Sequence, residues 1–153
     1  ELYLRASDLG YAHMQETLLE KGLANDKGVF FPMERYASLV SKGEGNSSEA
    51  MSLKKKIAER DPNNEKGVRL RLALLDFQSH IGDPEDAVKP LGDYIQSFGK
   101  SDKDNLWRLH LIISEYFQLH GKGDEAKEHA EKSLQDAPPK NRILVQSIVD
   151  SLD

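Results

Sequence analysis

Cysteine is absent from the 153 residues. That gap removes disulfide staples, thiolate zinc sites and cysteine nucleophiles from within the chain. It assigns no compartment, because reducing and oxidising environments both contain cysteine-free domains. No apolar run approaches the roughly 20 residues that cross a bilayer as a helix, and Glu1 to Arg5 lack the basic-then-apolar start of a signal peptide. The expectation is a soluble chain with no membrane insertion and no assigned compartment. A start at Glu1 rather than methionine leads us to expect a processed product or a piece of a longer polypeptide. An excess of positive charge is missing too: the formal net charge is -5 and the pI near 5.6. A domain that binds by neutralising phosphates has the opposite balance, so RNA is disfavoured as a partner. Runs of alternating Val, Ile, Thr and aromatic residues closed by tight turns are also lacking, which argues against strands.

What is present is helical periodicity. Leu70, Ala73, Leu74 and Phe77 share one helix face, and so do Leu106, Leu109, Ile113, Tyr116 and Phe117. Breakers divide the chain into eight expected helices, at 2–22, 32–42, 47–60, 66–81, 84–98, 103–119, 123–135 and 140–151. Pro32 and Pro84 suit a first helical turn, where a missing N–H has no partner to lose, and Asp83 suits the cap before it. Asp61-Pro62 and Ala137-Pro138-Pro139 end helices, because a residue preceding proline is pushed out of the α region. At 153 residues the expectation is one domain over 1–153.

Three corners repeat. Gly45 to Ala50, Gly82 to Ala87 and Gly121 to Ala126 each place glycine, three residues, an acid and alanine between two amphipathic segments. The alanines lie 37 and 39 residues apart. A glycine there can take positive φ to close the first helix, and alanine lets the second approach closely. On these residues the chain resembles the tetratricopeptide repeat family, whose unit is about 34 residues. Over 107–140 Ser114, Phe117, Gly121, Ala126, Ser133 and Pro138 match that family's pattern; over 31–64 Ser38, Gly45, Ala50 and Pro62 do. The unit 68–101 keeps Gly82 and Ala87 but departs from the pattern at Leu75, Gln78 and Tyr94. Residues 8 to 57 also look like pentatricopeptide repeats, through Tyr11-Ala12, Leu18 to Leu23 and Tyr36 to Val40.

The resemblance implies an all-α, right-handed α-α superhelix (solenoid). It would hold three tetratricopeptide-like helix pairs at 31–64, 68–101 and 107–140, an N-terminal helix and loop at 1–30, and a capping helix at 141–153. It implies a partner-binding concave face carrying Arg35, Leu39, Arg69, Leu72, Asp76, Arg108, Leu111 and Glu115. Arginines beside leucines would suit a peptide with carboxylates and apolar anchors. A chaperone clamp is not implied, because Leu39 stands where that clamp has asparagine. The functional expectation is a non-catalytic scaffold for a protein or peptide partner. The alternatives are a single-stranded RNA-binding domain of the pentatricopeptide type and a regulatory repeat domain of a larger protein. No enzyme activity, cofactor or metal is expected. His13, His80, His110, His120 and His129 form no HExxH pair, and there is no GxSxG elbow, Walker loop or dinucleotide fingerprint. Glu85-Asp86 and Asp124-Glu125 fall at helix starts, where the macrodipole accounts for them. Lys54, Lys55 and Lys56 fan around a helix and read as solvated exterior.

If Ala126 fills a tight corner, Ala126→Leu overpacks it and costs about 1 to 3 kcal/mol. Urea unfolding measures this directly, and an unchanged midpoint would place residue 126 outside the packed face.

Overall fold

The computed structural model describes residues 27–80 and 82–153; the helix expected over 2–22 lies outside the described residues. Those described are all-α: seven helices, with no strand among them. They are α1 Lys27–Ser41, α2 Ser48–Glu59, α3 Val68–Ser79, α4 Pro84–Phe98, α5 Lys103–Leu119, α6 Gly123–Asp136 and α7 Pro139–Ser151. No helix among them is long and apolar enough to cross a membrane. The chain packs as two compact units, one holding described residues 27–94 and the other 95–153.

In the first unit α1, α2 and α3 pack on one another. Helix α1 begins five residues before the expected start at Pro32, which lies inside it. The reason is the spacing of Val29, Met33, Tyr36 and Val40, a buried stripe that runs through the proline. Burying those side chains, at about 1.5 to 3 kcal/mol for each large one, outweighs the single helical bond that proline forfeits. Gly43, at φ 78, closes α1. Glu44 N–H reaches Leu39 O at 2.8 Å and Gly43 N–H reaches Val40 O at 3.0 Å, the paired bonds of a Schellman ending. The closing glycine is thus Gly43 and not Gly45, a correction to the corner as read from the repeat. Ser47 caps α2 by accepting from Ala50 N–H at 3.2 Å.

The entry to α3 is built from the preceding turn. Asp61 Oδ2 accepts from Lys66 N–H at 3.0 Å and from Val68 N–H at 3.1 Å. Asn64 Oδ1 accepts from Arg69 N–H at 3.1 Å, and Asn64 Nδ2 donates to Tyr94 Oη on α4 at 2.8 Å. Asn64 itself sits at φ 57, which asparagine tolerates better than most residues. The turn thereby satisfies two of the orphan donors of one helix and ties it to the next. Helix α4 starts as expected, with Asp83 Oδ1 accepting from Glu85 N–H at 2.8 Å ahead of Pro84.

In the second unit α5 packs on α6, and α6 on α7. Gly121, at φ 73, closes α5 with a second Schellman pair, Lys122 N–H to Phe117 O at 2.8 Å and Gly121 N–H to Gln118 O at 3.2 Å. Ala126 and Ala130 are fully buried. Ser114 Oγ donates to Ala126 O at 2.6 Å, and Ser133 Oγ to Trp107 O at 2.7 Å. Small side chains that bond directly to the facing backbone bring the two helices close. On α7 the inward face is Val145, Ile148 and Val149, with Leu144 and Leu152 only partly buried. Burial on this helix follows a three-and-four spacing rather than strict fours.

Tyr94→Phe removes the acceptor for the buried Asn64 amide and is expected to cost about 1 to 3 kcal/mol. The urea midpoint should drop with an unchanged slope; no drop would mean the amide has another partner of equal strength.

Candidate functional site

Among the sequence-derived site residues of the first unit, Asp76 faces a cleft. Its volume is about 450 Å³, and its walls include Tyr36, Val40, Met51, Lys54, Asp76 and His80. One polar side chain comes from each of three helices: Tyr36 from α1, Lys54 from α2 and Asp76 from α3. Tyr36 Oη donates to Asp76 Oδ1. Lys54 Nζ lies 2.5 Å from Asp76 Oδ2 in a charge-assisted bond. Burial pushes the Tyr36 phenol well above the ordinary tyrosine range, and the Asp76 carboxylate beside it pushes the same way. The floor of the cleft is therefore an ion pair with a neutral phenol attached. Met51 and His80 stand exposed at its wall.

The other expected site residues have varied surroundings. Arg35 is exposed on α1 and forms a bidentate pair with Glu49 at 2.8 and 3.0 Å. That hydrogen bond and charge raise the guanidinium pKa and lower the Glu49 carboxyl. Leu39 and Leu72 are buried in the first core. Arg69 is half-buried, and its Nε has no hydrogen-bond partner. In the second unit Leu111 is core, and Glu115 is buried. Arg108 lies over the Trp107 ring, 4.4 Å from its centroid, and pairs with Asp104 at 3.1 Å.

Two arrangements are not legible in the sequence. Lys54, expected on the solvated exterior, reaches Asp76. His110 on α5 and His129 on α6 are 19 residues apart with no motif joining them, and the fold sets their Nδ1 atoms 3.0 Å apart. Their ring centroids are 5.2 Å apart, and His129 stacks on Phe117 at 5.8 Å. Burial pushes His110 down to about 4, helped by His129 and Lys132, and it also lowers His129. Both rings are neutral at neutral pH, so one Nδ1 donates and the other accepts. No group of three or more His, Cys, Asp or Glu among the described residues is placed to hold a metal ion.

No protein-family model matches the chain, and no solved structure matches it. The chain is 35% identical over 144 residues to the thioredoxin-related protein DsbJ of Chlamydia pneumoniae, a match covering 89% of this chain and 41% of that protein. The chain thus spans about two fifths of the length of the curated relative it matches. This finding corrects the assignment to tetratricopeptide or pentatricopeptide repeats. With it fall the readings as a non-catalytic peptide scaffold, an RNA-binding repeat or a regulatory repeat domain, and the expectation of no enzymatic role. The physical source of the error is the corner itself. Glycine and a buried alanine at the corner serve any close helix hairpin, so their recurrence reports hairpins and not a family.

Because Tyr36 keeps its proton more tightly when folded, the folded chain binds more protons than the unfolded one above the ordinary tyrosine pKa of about 10. Its contribution is complete below that pH and is lost as pH rises beyond it. Urea melts at rising alkaline pH should show wild type losing more stability than Tyr36→Phe. Equal losses would mean the phenol titrates freely.

Proposed function

We propose that this chain takes part in thiol–disulfide oxidoreduction, as the cysteine-free helical portion of a thioredoxin-related protein. The observation that supports this most is the similarity to the thioredoxin-related protein along nearly the whole chain. In the exchange reaction a thiolate attacks one sulfur of a disulfide. The other sulfur leaves as a thiolate, and a second thiol then resolves the mixed disulfide. Two electrons and two protons pass from dithiol to disulfide. Every sulfur in that sequence belongs to cysteine, and this chain has none. Its three methionines are thioethers, which do not exchange.

In this reading the dithiol is supplied from outside these 153 residues. In this reading the helical portion supplies position and not sulfur. The bonds that join α1, α2 and α3 through Asp76, and α5 and α6 through Ser114 and Ser133, suit a body that must hold its shape while a neighbouring redox centre cycles.

The test compares the 153-residue chain with the full-length native protein, using reduction of insulin disulfides by dithiothreitol as the readout. The chain alone should leave the uncatalysed rate unchanged. The native polypeptide should accelerate it, and serine replacement of its cysteines should remove the acceleration. A native polypeptide without a cysteine pair, or one that leaves the rate at the blank, refutes the proposal.

A further inference from the structure

The paired histidines of the second unit present their nitrogens as a chelate would. Two nitrogens bound to one first-row transition ion at about 2.0 to 2.1 Å stand about 2.9 to 3.4 Å apart, for angles from a right angle to tetrahedral. The Nδ1 atoms of His110 and His129 are 3.0 Å apart. We propose that His110 and His129 form a binding site for a divalent late transition ion such as Zn²⁺, Ni²⁺ or Cu²⁺, bound through both Nδ1 atoms, with water completing its coordination.

The backbone around the pair is pre-positioned. Helices α5 and α6 are joined at Ser114–Ala126 and Ser133–Trp107, at 2.6 and 2.7 Å, with the histidines on the same two helices. Phe117 stacks on His129 and restricts its rotation. The two rings turn so that both lone pairs meet the ion, while the helix spacing keeps their nitrogens within chelating distance. Without metal, one Nδ1 carries the proton shared between the rings. Coordination needs both lone pairs, so that proton moves to Nε2 of the same ring. The step is a change of tautomer with no net proton gained or lost.

The charges acting on the pair are Glu128 and Lys132, both on α6 and 3.1 Å apart. Glu128 favours a cation, while Lys132 opposes it with the larger effect and burial opposes it further, so the two nitrogen ligands must outweigh both. Imidazole suits zinc, nickel and copper over magnesium or calcium, and copper should bind more tightly than either nickel or zinc. Two protein ligands make a weaker site than the four of a structural zinc centre.

The experiment is calorimetric titration of the chain with zinc chloride alone at neutral pH, in a buffer that does not chelate. Saturable one-to-one binding is expected. His129→Phe, which keeps an aromatic ring against Phe117, should weaken it by at least about tenfold. Replacing His13, His80 and His120 with alanine together should leave the affinity unchanged. If circular dichroism shows that His129→Phe alters helicity, His129→Gln provides the same comparison. Absence of binding by wild type, or equal binding by wild type and the folded His129 variant, overturns the proposal.

Discussion

A carboxylate removed from most of its water is costly unless hydrogen bonds replace that water. In the first unit this constraint falls on Asp76, whose side chain is only 18% exposed. It is met from two helices at once, with Tyr36 on α1 donating to one oxygen and Lys54 on α2 to the other. Because the donors lie on different helices, these two bonds hold only while α1, α2 and α3 keep their relative rotation. That same rotation points Leu72 and Leu75 of α3 into the core with Val29, Met33 and Leu39. The apolar burial and the polar bond thus require one geometry. Apolar burial alone would tolerate a helix turned by part of a step, since hydrophobic burial has no direction of its own.

The second unit achieves helix pairing differently. Fully buried alanines at 126 and 130 leave space for close approach, and the hydroxyls of Ser114 and Ser133 fill it by bonding to backbone carbonyls across the gap. A serine in a helix interior usually turns its hydroxyl to its own backbone. Here the partner is the opposite helix, so the bonds fix the distance between helices as well as their register. That distance is what brings His110 and His129 into contact.

Much of the helical architecture was legible because its signals are local. The bounds of α4 and α5 are those expected, since Asp83-Pro84 marks a start and apolar spacing marks the face. Where signals compete, local reading erred. Pro32 is compatible with a helix start, but the stripe from Val29 to Val40 needs the chain helical before it. Asp76 was named as a site residue for a groove, and its actual neighbours depend on Tyr36 and Lys54, distant in sequence by 40 and 22 residues. The histidine pair has no periodic signature at all, because contact between α5 and α6 is a product of packing. The family was misread for a related reason. Helix hairpins converge on the same glycine and alanine corners whatever their ancestry.

Under the proposed redox role the lack of cysteine would have a chemical meaning. Thiol–disulfide exchange is directed by which thiolate reaches which sulfur, and any accessible thiol nearby competes for the mixed disulfide. A helical body with cysteines would offer such competitors throughout each cycle, and a trapped bridge would distort the helices that hold position. Serine at 114 and 133 does what a small polar side chain must do there, donating to a carbonyl in a tight space. Cysteine is nearly the same size, but it is a weaker donor and a nucleophile when ionised. The second unit thus meets its packing requirement at these positions with an oxygen that does not exchange.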